Sequence, residues 1–277
     1  MQLLHGAIHK KVLLKSRHPL QTLQTIFLLE RTIRFGLLTK EEKAHIALLK
    51  RKRERILYEL PDIFLKTPFY KDKQGRKGLG RKIPGQSPSG IWEISLTKWA
   101  LISSIPHIYG AFLYLAISRL RRRHILEVGT GLGISTLYLL QGITREKKGF
   151  VESIEGSNTI AEQHKRIFAN YKKSRYRFLH ARIENVLPQL LKAKRSYDFV
   201  FHDGEHQYET LMRDMKIIMQ ILTSGGIVVI DDINWTKQMR DAWKKVETLK
   251  DVIYTATIFS LSPNSHARMG LLVKGGR

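Results

Sequence analysis

The stretch Ile125-Leu126-Glu127-Val128-Gly129-Thr130-Gly131-Leu132-Gly133-Ile134-Ser135-Thr136 decides the fold. It reads as a buried apolar strand, a glycine-rich turn and the start of a helix. Glycines at 129, 131 and 133 let the backbone turn tightly and approach a ligand with no Cβ in the way. Such a strand–turn–helix belongs at the carboxyl edge of a parallel sheet, where nucleotide-type cofactors bind. The spacing departs from the dinucleotide fingerprint G-x-G-x-x-G. Position 134 is Ile, and the third glycine comes one residue early. An acid, Glu127, stands near the end of the strand.

Outward from this stretch, strand and helix patterns alternate to the end of the chain, which predicts a parallel sheet covered on both faces. Strands are expected at 124–128, 150–154, 176–180, 197–202 and 226–231, with a final pair near 252–259 and 267–274. Helices are expected near 134–141, 158–171, 184–193, 207–222 and 235–248. Right-handed crossovers leave little topological freedom. The fold class is therefore α/β: a doubly wound, seven-stranded, mostly parallel, Rossmann-like sheet with an N-terminal helical extension.

Upstream, apolar spacing predicts helix over 20–60. Thr39-Lys40-Glu41-Glu42 has the form of a capping box for a helix over 40–59. The run Lys50-Arg51-Lys52-Arg53-Glu54-Arg55 reads as a solvated face. Glycines and prolines among Lys and Arg over 71–90 predict a linker. The chain divides into a basic helical region, 1–95, and a catalytic domain, 96–277. Residues 99–118 contain no Asp, Glu, Lys or Arg; Pro106, Gly110 and the serines favour a core helix over a bilayer span.

Three further segments carry acids to the same sheet edge. Glu155 ends the second strand, where a carboxylate can accept hydrogen bonds from a ribose diol. The fourth strand runs into His202-Asp203-Gly204-Glu205-His206, and the fifth into Asp231-Asp232-Ile233-Asn234-Trp235. Asp203, Asp231 and Asp232 would lie close together and repel one another unless compensated. A hard divalent cation such as Mg²⁺ relieves that cost. His206 is a candidate base, because an imidazole titrates near neutrality. His202 is expected to pack inside.

E-x-G-x-G-x-G at 127–133 resembles motif I of the class I S-adenosylmethionine-dependent methyltransferases. The acids after strands four and five are similar to those of metal-dependent O-methyltransferases. Residues 124–277 resemble the O-methyltransferase-like branch called methyltransferase family 24. Asp231-Asp232-Ile233-Asn234-Trp235-Thr236 through Met239, Ala242 and Trp243 is similar to a pattern in bacterial members, many from the Bacteroidetes. Lys15-Ser16-Arg17-His18 also looks like the start of those proteins. The resemblance implies S-adenosylmethionine as cofactor, bound by Glu127, Gly129, Thr130, Gly131, Gly133 and Ser135 around the methionine part. It implies Glu155 and Gly156 at the ribose, Ala181 and Arg182 beside the adenine, and Asp203 at the cofactor as well. It implies Mg²⁺ held by Asp203, Asp231 and Asp232, with Asp203 and His206 catalytic. His206 stands where the catechol group carries a lysine, which leaves the base open.

The chain has no cysteine, which excludes disulfides, thiolate metal sites and the cysteine attack used on cytosine C5. The Asn/Asp-Pro-Pro-aromatic motif of amino methylases is also absent. Net charge is +24, and residues 1–123 hold 25 Lys/Arg against 8 Asp/Glu. Such a surface attracts polyanions, RNA or anionic lipid. The start of the chain shows no signal-peptide pattern, so a cytoplasmic setting is expected. O-methylation of a small-molecule or sugar hydroxyl fits the acids best. An RNA- or ribosome-directed methyltransferase using the basic region is the alternative, and a non-catalytic cofactor-binding protein or membrane-surface partner is a third reading.

Overall fold

The computed structural model describes residues 11–12, 37–68, 81–82, 91–258 and 268–276. The helix expected before residue 37, the Lys15–His18 segment and most of the 71–90 linker lie outside them. In chain order the elements are β1 (Lys11–Val12), α1 (Lys40–Tyr58), β2 (Phe64–Pro68), β3 (Arg81–Lys82), β4 (Ile91–Ser95), α2 (Leu96–Ser103) and α3 (His107–Arg119). Then follow β5 (His124–Val128), α4 (Ile134–Gly142), β6 (Phe150–Glu155), α5 (Asn158–Ile167), β7 (Tyr176–His180), α6 (Ile183–Lys192) and β8 (Tyr197–His202). The chain closes with α7 (Tyr208–Ile221), β9 (Leu222–Ile230), α8 (Lys237–Val246), β10 (Val252–Ile258) and β11 (Met269–Lys274).

The main sheet has the order β1-β10-β11-β9-β8-β5-β6-β7. From β9 to β7 every pair is parallel; β11 and β10 add antiparallel at one edge. These are the seven expected strands. The eighth, β1, is a two-residue addition from the N-terminal region, pairing Lys11 with Thr255 and Val12 with Tyr254. The strand order reverses around β5, which places the ligand crevice outside the carboxyl ends of β5 and β8.

Side chains alternate between two cores, as the two-residue period of a strand requires. Ile125, Phe199, Phe201, Ile227 and Val229 face α1, α2, α3 and α4. Leu126, Val128, Val200, Val228 and Ile230 face α6, α7 and α8. Burial on both faces explains why these strands read as nearly continuous apolar runs.

Two expectations are revised. The apolar stretch 99–118 is not one helix: α2 and α3 meet at 55° across a break at 104–106. Pro106 has no N–H to donate and pushes residue 105 out of helical conformation. No single described helix is long and apolar enough to cross a membrane. The described part of 1–95 is also not purely helical, since β2, β4 and β3 form a small antiparallel sheet. Arg81 and Lys82, inside the expected linker, belong to it.

Helix α1 begins with the capping box as expected: Glu42 N–H donates to Thr39 Oγ1 at 3.1 Å, and Thr39 N–H to Glu42 Oε2 at 2.8 Å. It docks on the large core. Leu49 and Leu57 are buried, Arg119 donates twice to Glu42 at 2.7 and 2.8 Å, and His45 meets Tyr114 Oη at 2.9 Å. Each buried leucine contributes about 1.5–3 kcal/mol, whereas a partly exposed ion pair contributes about 1 kcal/mol at most. Apolar burial therefore holds α1, and the Arg119 pair sets its register.

Helices α3 and α4 cross where Gly110 meets the Tyr138 ring, and a Cβ at Gly110 would lie 2.5 Å from it. The ring is pinned, because Tyr138 Oη is 2.8 Å from His107 Nδ1. Gly110→Ala gains helix propensity of about 1 kcal/mol, but overpacking against a fixed ring costs about 1–3 kcal/mol. A net loss of stability is expected, read as a lower urea midpoint with an unchanged slope.

Candidate active site

The loop after β5 is built from left-handed glycines: Gly129 at φ +83°, Gly131 at +54° and Gly133 at +85°. Gly129 is the tightest, since a Cβ there would lie 2.2 Å from the Asp203 carbonyl oxygen. Beneath the loop, Glu127 is fully buried. Its carboxylate accepts from Ser135 Oγ at 2.5 Å, Thr136 Oγ1 at 2.6 Å, Ser153 Oγ at 2.5 Å and Thr130 Oγ1 at 2.8 Å. Burial pushes the Glu127 carboxyl pKa up, while the four hydroxyls pull against it. Glu127 thus anchors the loop from below. Gly133 likewise serves packing: a Cβ there would strike Phe168 at 2.2 Å and His164 at 2.8 Å. His164, stacked between Phe168 and Phe178, is pulled down to about 3 by burial and stays neutral.

Glu155 faces the crevice. Its Oε2 accepts from Gly131 N–H at 3.0 Å and its Oε1 from Ser157 N–H at 2.7 Å. Carboxylate oxygens have further lone pairs for a diol. Gly156 packs beside Ala181 and Arg182 at the next strand edge. These three sit together outside the cavity lining, and Arg182 reaches Glu184 at 2.6 Å.

The ends of β8 and β9 bring the acids to one corner. Asp203 N–H donates to Val128 O at 2.8 Å, and Asp231 N–H to His202 O at 2.9 Å. His206 enters the gap, its Nε2 3.4 Å from Asp203 Oδ1 and 3.9 Å from Asp232 Oδ2. These are ion-pair separations; Nε2 is buried and has no hydrogen-bond partner. Burial alone would lower the His206 pKa, but Asp203 and then Asp232 outweigh it and raise it above 6.5. Asp231 is buried, and burial plus the charges of Asp203 and Asp232 push its pKa well up. Burial and Asp203 raise Asp232 too, with His206 opposing. Asp232 holds φ +51° and donates its N–H to Asp231 Oδ1 at 2.8 Å. His202 is packed inside as expected, 3.1 Å from Asp214.

The corner does not fit the expected Mg²⁺ centre as it stands. Among the described residues no three His, Asp or Glu groups are spaced to hold one ion. An imidazole instead lies 3.4 and 3.9 Å from two of the three expected ligands, and their charges raise its pKa.

Loop and corner open on one cavity of about 640 Å³. Gly129, Thr130, Gly131, Ser135, Glu155, Asp203, His206, Asp231 and Asp232 line it; Glu127, Gly133, Gly156, Ala181 and Arg182 do not. The rest of its wall is Trp99, Leu101, Ile102 and Trp235, with Ser103 to Pro106 and Arg53. Sequence reasoning missed that wall. For Arg53 a signal existed: it lies four residues after Leu49 and four before Leu57, on the buried stripe of α1.

Gly129→Ala is expected to cost about 3 kcal/mol or more and to abolish cofactor binding, because its Cβ meets backbone. Gly131→Ala, whose Cβ would lie 3.6 Å from Trp99, should cost only left-handed strain of about 1 kcal/mol. Urea midpoints with S-adenosylhomocysteine titration separate the two.

Comparison with known proteins agrees with this layout. A methyltransferase-domain family model matches residues 126–233. A "Putative O-methyltransferase" of Mycobacterium sp. (strain JLS) is 31% identical over 129 residues, covering 44% of this chain and 53% of that protein. One of the same name from Mycobacterium avium (strain 104) is 32% identical over 125 residues, covering 44% and 53%. The chain thus spans about half the length of the curated relatives it matches. Among solved structures, the O-methyltransferase TomG from Streptomyces achromogenes, in complex with S-adenosylmethionine, superposes with a TM-score of 0.55 at 19% identity, covering 62% of this chain and 82% of TomG. The O-methyltransferase from Bacillus cereus, in complex with S-adenosylhomocysteine, gives 0.55 at 20% identity, covering 62% and 83%. The loop and the strand order are those of the class I S-adenosylmethionine-dependent methyltransferase fold, and residues 126–233 are similar in sequence to O-methyltransferases.

Proposed function

We propose that the chain methylates a hydroxyl of a small molecule, with His206 as the base. The observation that carries this is His206, its Nε2 3.4 Å from Asp203 and 3.9 Å from Asp232, on the same cavity as the Gly129–Gly131 loop. Bound S-adenosylmethionine supplies an electrophilic methyl on its sulfonium. The glycine loop takes its methionine part and Glu155 its ribose. Trp99, Leu101, Ile102 and Trp235 form an apolar wall that favours an acceptor with an aromatic or aliphatic body. The neutral imidazole takes the hydroxyl proton, and Asp203 and Asp232, beside Nε2, stabilise the imidazolium that results. The acceptor oxygen, now the stronger nucleophile, bonds the methyl carbon as the carbon–sulfur bond breaks, leaving S-adenosylhomocysteine. Holding both partners in line supplies much of the rate.

Metal assistance by Mg²⁺ on Asp203, Asp231 and Asp232 is the second reading. The raised pKa values of Asp231 and Asp232 favour it, because a cation would relieve their repulsion. It needs His206 to leave the gap.

The sign of the pH dependence follows from His206. Only its neutral form is a base, and its pKa is raised, so kcat/KM should climb with pH through an apparent pKa above 6.5. His206→Gln should lower kcat by about 10²–10⁴-fold and remove that limb. Full activity in chelator is expected; loss of activity in chelator, restored by Mg²⁺, would transfer the role to the metal reading. A hydroxyl-acceptor screen under both conditions makes the measurement.

A further inference from the structure

Arg53 is the one lysine or arginine among the described residues lining the cavity. It comes from α1, outside the 126–233 match. Its Nε is buried with no hydrogen-bond partner. The acids of its own helix are engaged elsewhere, Glu54 with Lys50 at 3.9 Å and Glu59 with Arg55 at 3.2 Å. A guanidinium held inside a cavity without an anion is an open half of a pair, since the other half is worth a charge-assisted, two-pronged contact.

Its position says which anion. The charge of Arg53 acts on His107 and on Tyr138. His107 follows the Ser104–Pro106 break, and Tyr138 lies one turn into α4. Neither neutralises the arginine: burial, then Lys50 and Arg53, keep His107 uncharged, and burial pushes the Tyr138 hydroxyl up to about 12. Arg53 therefore lines the cavity near the crossing of α3 and α4. The first turn of α4 opens there too, with Gly133 as an N-cap that offers no side-chain oxygen to its N–H groups, a setting that favours negative charge. At the other end, Asp203, Asp231 and Asp232 repel any carboxylate. Glu155 fixes the ribose end of the ligand, and the tail leaving the loop has one cationic wall to meet.

We propose that Arg53 binds the α-carboxylate of the cofactor's methionine tail, so that helix α1 completes the cofactor site from outside the methyltransferase core. This rests on the S-adenosylmethionine reading of the Gly129–Gly133 loop. It assigns a role to the N-terminal region: a part of the catalytic unit itself.

Two ligands isolate the contact. S-adenosylhomocysteine carries the carboxylate, and 5′-methylthioadenosine has the same nucleoside and sulfur without it. Calorimetric titration of both into the full chain and into Arg53→Gln makes the test. The expected result is that Arg53→Gln weakens S-adenosylhomocysteine by roughly 10–100-fold, the range for one charge-assisted hydrogen-bonded pair, and leaves 5′-methylthioadenosine unchanged. Arg53→Lys should recover part of the loss. Retained nucleoside binding also shows that the variant is folded. An equal loss for both ligands, or no loss for either, would overturn the inference; in the second case the arginine faces the acceptor instead. If the unaltered protein binds neither ligand, the cofactor reading itself fails, and the inference with it.

Discussion

The structure turns on a buried carboxyl that lines no part of the cavity. Glu127 sits beneath the glycine loop and gathers hydroxyls from the loop, from the first turn of α4 and from β6. Taking an ion out of water costs several kcal/mol, and four hydrogen bonds to it return about 1.5–3 kcal/mol each. The four hydroxyls offset part of that burial, which still raises the carboxyl's pKa. The loop is therefore fixed to two strands and a helix at once, and its backbone is held ready before any cofactor arrives. The same logic explains Ser135, Thr136 and Ser153: small hydroxyls fill a buried shell where larger side chains would not fit.

A second coupling joins the loop to the chemistry. Gly129 lies against the Asp203 carbonyl, and Asp203 N–H donates to Val128 O. The end of β5 and the end of β8 are thus one rigid corner. The glycine turn also sets where Asp203, and hence His206, stands. Parallel pairing of β8 with β9 brings Asp231 to the same place.

Much of this was legible in the sequence, and the reason is physical. Strands buried on both faces are dense apolar runs ending abruptly at acids or glycines, so β5 and β8 were bounded to the residue and β6 within one; the half-exposed edge strand β7 was bounded to the residue as well. The Thr39 box marked the start of α1 because capping is local chemistry. Tertiary facts were less visible. Apolar composition over 99–118 hid the break at 104–106, whose loop lines the cavity. The small sheet of β2, β3 and β4 lies in and around a basic, glycine-rich stretch with no clear alternation. Arg53 vanished inside a run of charges, where composition says solvent. Its placement between Leu49 and Leu57 at four-residue spacing says otherwise. Glu127 and Gly133 were singled out as cofactor residues, yet they face inward: a motif fixes which residues matter without saying which way they point.

The acid corner shows the same gap between residue type and geometry. Three aspartates at adjacent strand ends pose an electrostatic problem that sequence can state but not solve. A divalent cation is one solution, and it needs the carboxylates to converge with a clear space between them. An imidazolium is another, and it needs only to stand among them. Here His206 occupies that space, 3.4 Å from one carboxylate and 3.9 Å from another. The two solutions compete for the same volume. They also differ in what they do to an acceptor hydroxyl: a cation stabilises the oxyanion directly, whereas the histidine must be neutral to act and becomes charged by acting. In the proposed mechanism the acids stabilise the histidine's charged product state, and until the proton moves their own raised pKa values relieve the repulsion.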